Sequence, residues 1–149
     1  MADFDAFAES VADVEASRFT GRLDRKYAFR VFAAQTGTWL LSGAGWWAME
    51  LHDTGELVGR VGAFYRDGFP DLEIGWFTHR SFWRRGLASE AALAVVRYAF
   101  DVRGEPRVTS FIDPGNTASL RVAERLGMHY EREAEIWDTA VGMYALERD

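Results

Sequence analysis

Trp83-Arg84-Arg85-Gly86-Leu87-Ala88-Ser89-Glu90-Ala91-Ala92 reads as the opening of a helix that runs to about Val102. Leu87, Ala88, Ala91, Ala92, Leu93, Val95, Val96, Ala99 and Phe100 leave only Glu90, Arg97 and Asp101 as a polar stripe, so the spacing predicts a helix largely buried against a sheet. A strand, Leu72 to Phe77, precedes it. Another, Arg107 to Ile112, follows Arg103-Gly104-Glu105-Pro106. Strand, helix and strand in this order form a crossover and predict that the two strands are parallel, which makes the chain α/β. In such a unit a ligand sits at the carboxyl ends of the strands, beside the helix start.

The chemistry of that helix start points to an anion. The first backbone N–H groups of a helix have no intrahelical partner, and they carry about half a positive charge. Gly86, Ala88 and Ser89 keep bulky side chains away, while Arg84 and Arg85 add guanidinium forks that match phosphate oxygens. Read alone, the same string also fits a surface loop with two solvated arginines. Further on, the turn Asp113-Pro114-Gly115-Asn116 leads into a helix from Thr117 to Leu126, closed by Gly127. Asn116 stands at its N-cap. Ser119 shares an inward face with Val122, Ala123 and Leu126, so its hydroxyl either bonds back to a helix carbonyl or serves a ligand.

Around this centre the pattern gives two early helices, Phe4 to Val14 and Asp24 to Thr36, the second stopping at Gly37. A hairpin follows, Trp46 to Leu51 and Leu57 to Tyr65, whose second strand holds Gly59 and Gly62 as marks of a bulge or a close neighbour. Two last strands lie near Tyr130 to Trp137 and Ala140 to Leu146. At 149 residues and 48% hydrophobic composition, without linkers or repeats, a single domain over residues 1–149 is expected. No stretch is long and apolar enough to span a membrane, and Met1 to Ser10 lacks the basic and apolar blocks of a leader. Cysteine is absent, which excludes a thiolate nucleophile or disulfide and makes the cytoplasm the expected compartment. A net charge of -6 argues against nucleic acid as partner and favours an amine. His52, His79 and His129 show no metal spacing, and no metal is expected.

Taken together, Gly86-Leu87-Ala88-Ser89-Glu90-Ala91 with Arg97-Tyr98-Ala99-Phe100, then Asp113-Pro114-Gly115-Asn116-Thr117-Ala118-Ser119 and Ala123-Glu124-Arg125-Leu126-Gly127-Met128, resemble the GNAT superfamily of N-acetyltransferases. Thr54-Gly55-Glu56-Leu57-Val58-Gly59 and Leu72-Glu73-Ile74-Gly75-Trp76 resemble its RimJ/RimL-like branch. The resemblance implies a central mixed sheet flanked by helices and splayed between Leu72–Phe77 and Arg107–Ile112, with acetyl-CoA as co-substrate in the splay. It implies that Arg84, Arg85, Gly86, Leu87, Ala88 and Ser89 hold the pyrophosphate, that Trp76 and Phe77 pair their backbones with the pantetheine arm, and that Asn116 binds this arm or caps its helix. Members usually begin with an extra strand, which nothing before Phe4 supplies. Either the sheet is one edge strand short, a second subunit covers that edge as a homodimer, or the natural start lies upstream.

Transfer of an acyl group to an amine needs a base for the amine and an acid for the departing thiolate. Glu73 is the candidate base, directly or through a water; its alternative is an ion pair with an arginine. Ser119 is the candidate acid, with Tyr144 and Tyr130 behind it. The expected activity is acetyl-CoA-dependent N-acetylation by direct attack of a primary amine, either a protein N-terminus or a small molecule. The alternatives are another acyl group or acceptor, or an acyl-CoA-binding domain without catalysis.

Overall fold

In the computed structural model, which describes residues 3–148, the order is α1 (Phe4–Ala12), α2 (Arg25–Ser42), β1 (Trp46–Glu50), β2 (Leu57–Tyr65), β3 (Leu72–Thr78), α3 (Leu87–Arg97), β4 (Arg107–Ile112), α4 (Thr117–Leu126), β5 (His129–Ile136) and β6 (Thr139–Glu147). The six strands form one sheet in the order β1-β2-β3-β4-β6-β5. Only β3 and β4 run parallel, as the crossover requires; every other neighbouring pair is antiparallel. No strand precedes α1 among the described residues, and β1 is an edge. No described helix is long and apolar enough to cross a membrane.

Strand alternation sorts the side chains onto two faces. Leu72, Ile74, Val108 and Ile112 are buried with Ala92, Val95 and Val96 of α3 and Val122, Ala123 and Leu126 of α4. On the opposite face, Arg60, Gly62 and Phe64 of β2 stand across from Phe77, Gly75 and Glu73 of β3. The guanidinium of Arg60 lies against the ring of Phe7, which places α1 over that face. Helix α1 packs on α2 through Phe4, Phe7, Ala8, Val11 and Ala28.

Strand ends differ from the sequence reading by at most a residue, and three helix ends differ by more. Helix α1 ends at Ala12, with Val14 left exposed. Helix α2 runs through Gly37 and stops at Gly43, which adopts the left-handed conformation of a C-cap. A glycine inside a helix costs about 1 kcal/mol, and contacts of the last turn outweigh it: the Trp39 ring sits 4.6 Å from that of Trp47 and its Nε1 donates to the Trp46 carbonyl at 3.1 Å. Helix α3 gives way to a π-helical turn over Tyr98–Val102, and its burial is one-sided, because Leu93 is exposed on the outer surface.

The two glycines opposite each other on β2 and β3 make room for an aromatic ring. A Cβ on Gly62 or on Gly75 would come within 2.8 Å of the Trp46 indole, which lies flat on the sheet and stacks on Phe64 at 5.2 Å. Gly75→Ala is therefore expected to lower stability by about 1–3 kcal/mol, read as a drop in the denaturation midpoint. It should also shift tryptophan fluorescence as Trp46 is displaced.

Candidate active site

The ladder between β3 and β4 stops after Leu72↔Val108 and Glu73↔Thr109, although both strands continue. At the vertex the Ser110 hydroxyl donates to the Ile74 carbonyl at 2.7 Å, fastening the strands just where they part. Backbone groups alternate in direction along a strand. Since the Ile74 carbonyl faces β4, those of Trp76 and Thr78 face the opening as well. The Thr78 carbonyl is taken by the indole N–H of Trp83 at 2.8 Å. His79 donates to the Val58 carbonyl at 2.8 Å, which places Phe77 and His79 on the β2 side. Trp76 is thus left with backbone groups unpaired by any strand.

Helix α3 begins beside this opening. Its N-cap is Gly86, left-handed at φ 81°, and no side chain caps it. The first helical bond runs from the Glu90 N–H to the Gly86 carbonyl, and the N–H groups of Leu87, Ala88 and Ser89 meet no acceptor among the described residues. Arg84 is also left-handed, at φ 63°. Alternating conformations of this kind curl a backbone into a concavity lined by N–H groups, which suits an anion. Arg84 and Arg85 are exposed, the latter with its guanidinium 5.3 Å from the Phe82 ring centre. A third cation joins them: Arg125 of α4 brings Nη1 to 3.5 Å from the Ser89 hydroxyl.

On the helical side of the opening, Asn116 caps α4, its Oδ1 accepting the Ser119 N–H at 3.1 Å. The Ser119 hydroxyl makes no bond back to a helix carbonyl. It accepts instead from the Trp76 indole N–H at 3.2 Å. Because the indole only donates, the serine keeps its own O–H free. Tyr144 stands opposite Ser110 across the β4–β6 ladder, whereas Tyr130 is exposed.

Glu73 lies on the other face. It is 6% exposed and held by a fork from Arg66, Nε to Oε2 at 2.6 Å and Nη2 to Oε1 at 3.0 Å. Burial pushes its carboxyl above the usual glutamate value, and Arg66 opposes that rise without cancelling it. Its register partner Thr109 has a buried hydroxyl without a hydrogen-bond partner. The structure therefore brings Trp76, Ser119 and Asn116 together beside the α3 start, and sets Glu73 across the sheet at the vertex of the same opening. His79 lines a cavity under α1 and α2. Arg60 lines the same cavity. Its signal in the sequence was a charge at an inward position of β2, between Gly59 and Gly62.

A family model described as "Acetyltransferase (GNAT) domain" matches residues 1–129. YkkB of Bacillus subtilis (strain 168), described as an uncharacterized protein, is 38% identical over 104 residues, 68% of this chain and 60% of YkkB. The chain spans about half the length of the curated relatives it matches. Among solved structures, an acetyltransferase from Agrobacterium tumefaciens str. C58 is 31% identical with a TM-score of 0.90, covering 99% of this chain and 86% of that one. The fold alone, at 14% identity and a TM-score of 0.82, is shared with aminoglycoside acetyltransferase AAC(6')-Ib in complex with coenzyme A, over 99% of this chain and 90% of that one. A splayed parallel pair, an uncapped glycine start to the crossover helix and a family match over most of the sequence agree, and the chain belongs to the GNAT acetyltransferase family.

Proposed function

We propose that this chain is an acetyl-CoA-dependent N-acetyltransferase of RimJ/RimL-like type, acetylating a primary amine by direct attack. The observation that carries the reading is the β3/β4 ladder opening after two residue pairs, next to a helix start whose N–H groups have no acceptor among the described residues. The donor set fits the co-substrate. Leu87, Ala88 and Ser89 present backbone N–H groups to a pyrophosphate, with Arg84, Arg85 and Arg125 around them. Trp76 offers its backbone to the amides of the pantetheine arm. Phe77 takes no part in holding that arm, because its backbone faces β2 and its ring packs on Arg60 on the other face, and Asn116 serves by holding the start of α4 and with it Ser119.

When bound, acetyl-CoA supplies an activated acyl group and a thiol leaving group; the chain does the rest. Glu73 accepts the proton that the amine must lose, as a carboxylate kept in place by Arg66. The amine nitrogen forms its bond to the acyl carbon as the carbon–sulfur bond breaks. Ser119 offers its free O–H to the departing sulfur while the Trp76 indole holds its oxygen from behind. The amine proton goes to Glu73 and the thiol proton comes from Ser119; exchange with solvent then deprotonates Glu73 and reprotonates Ser119, which closes the cycle without a covalent enzyme intermediate. The uncovered edge of β1 supports assembly as a homodimer.

Acetyl-CoA at about a hundred times its dissociation constant adds roughly 2.7 kcal/mol to stability, worth a rise of about 5–10 °C in the midpoint for a chain of this size. Coenzyme A should give a comparable rise and ATP none. With a suitable amine, acetyl-CoA should then release free thiol. A rise without thiol release from any amine would support an acyl-CoA-binding domain instead; no rise with either thioester or thiol would remove the site.

A further inference from the structure

Beneath α1 and α2 the sheet carries a cavity of about 250 Å³, just under the roughly 300–1,000 Å³ of common small-molecule sites. Its walls are aromatic, with Phe7, Trp39 and Trp46 among them, and its strongest charge is Arg60. The guanidinium carbon of Arg60 lies 4.2 Å from the ring centre of Phe77, 4.7 Å from Phe7 and 5.5 Å from Trp46. Its Nε is buried with no acceptor, and Arg60 makes no ion pair among the described residues. Its neighbours in the fold are treated differently: Arg66 is matched by Glu73, Arg103 by Glu105, and Arg107 by Glu131. Asp3, the carboxylate on the cavity wall, is exposed and does not pair with Arg60.

Aromatic faces attract a guanidinium but accept no N–H bonds in its plane, so its in-plane donors are left for a ligand. Burial lowers Arg60 to about 10, still charged at neutral pH, and the same burial together with the Arg60 charge holds His79 below its ordinary value. The cavity therefore offers one fixed cation rather than two. Its position is also informative. Trp46 forms its inner wall and rests on Gly75, while Arg60 stands opposite Phe77 in the β2–β3 register. Two residues of strand, about 7 Å, separate Phe77 from Gly75, which lies just past the vertex where β3 and β4 part.

We infer that the acceptor is a small amine bearing a carboxylate, an amino acid or a near analogue, whose carboxylate pairs with Arg60 while its apolar part fills the aromatic cavity. The amine half of this inference rests on the acetyltransferase reading; the carboxylate half does not. A single cation in an aromatic-walled cavity discriminates by charge. The uncharged analogue leaves Arg60 unpaired, whereas the acid replaces water with a charge-assisted fork.

The test uses two product-shaped probes that differ in this charge, N-acetyl-L-phenylalanine and its carboxamide, titrated calorimetrically into the whole chain. The acid is expected to bind at least about tenfold more tightly than the amide, the factor that one charge-assisted hydrogen bond provides, and Arg60→Met to abolish the difference. Equal affinities, a tighter amide, no binding of the acid, or a preference that survives Arg60→Met would each overturn the inference. A tighter or equal amide would point to a peptide N-terminus. Should Arg60→Met fail to fold, the wild-type pair decides alone. Coenzyme A titrated into the same samples separates the two readings: coenzyme binding without acid preference sinks the carboxylate site, and acid preference without coenzyme binding sinks the acetyltransferase.

Discussion

Gly86→Glu is expected to abolish acetyl-CoA binding while leaving a folded protein. Gly86 sits at φ 81°, where a side chain strains the backbone, but a Cβ there would meet nothing within 4 Å. The cost to stability is thus about 1–2 kcal/mol of left-handed strain. The cost to binding is of another kind. A carboxylate at this point faces the N–H groups of Leu87, Ala88 and Ser89 and the charges of Arg84 and Arg85, so it occupies an anion's place and repels the anion meant for it. Losing two charge-assisted hydrogen bonds of about 1.5 kcal/mol each raises the dissociation constant by about a hundredfold or more. Gly86→Ala carries the strain without the charge and should bind within a few-fold of wild type. Calorimetry on both variants gives the answer, and wild-type affinity in Gly86→Glu would move the pyrophosphate elsewhere.

Glu73→Gln should lower kcat by about 10²–10⁴, the range for a positioned proton acceptor, with coenzyme A affinity unchanged. The amide keeps one oxygen for Arg66 but loses the charge and the second arm of the fork, so the unchanged coenzyme A affinity is the readout that the opening keeps its shape. The pH dependence adds a second readout. Because burial raises the Glu73 carboxyl above the usual value, kcat/KM should climb with pH along a limb that lies above the ordinary glutamate range, and that limb should vanish in Glu73→Gln. Stability runs the other way. The folded state binds the proton more tightly than the unfolded state, so this group lowers stability as pH rises from its unfolded to its folded value. Glu73→Gln removes that slope. A variant with wild-type kcat would leave Glu73 as a structural partner of Arg66 and nothing more.

Much of this was legible in the sequence because it rests on local signals. The strands Leu57–Tyr65 and Arg107–Ile112 and the helix Thr117–Leu126 fall at the residues where alternation, Asn116 and Gly127 put them. The parallel pair followed from chain order and handedness. What escaped reading depends on partners distant along the chain. Helix α2 passes Gly37 because Trp39 meets Trp47 and Trp46, and no local rule contains that contact. The Trp76 bond to Ser119 spans 43 residues. Glu73 and Ser119 were singled out separately, yet only the folded sheet shows that they stand on opposite faces with an opening between them. Arg60 and Arg66 share an inward-facing strand and the loop after it, and nothing in their spacing tells that Arg66 has a carboxylate and Arg60 has none among the described residues.

The flat seat of Trp46 on Gly62 and Gly75 bears on how such a pocket can be retuned. One wall of the cavity is an aromatic ring whose place depends on two missing side chains in adjoining strands, so altering it disturbs the sheet that also frames the opening. The facing wall comes from α2, where Gln35, Thr36 and Trp39 project into the cavity from a helix only partly buried. Changes at Gln35 and Thr36 leave the strands untouched, whereas Trp39 is tied to β1 through Trp46 and Trp47. Acceptor preference should therefore drift most readily through the helix, with the sheet acting as the fixed die against which new substrates are cast.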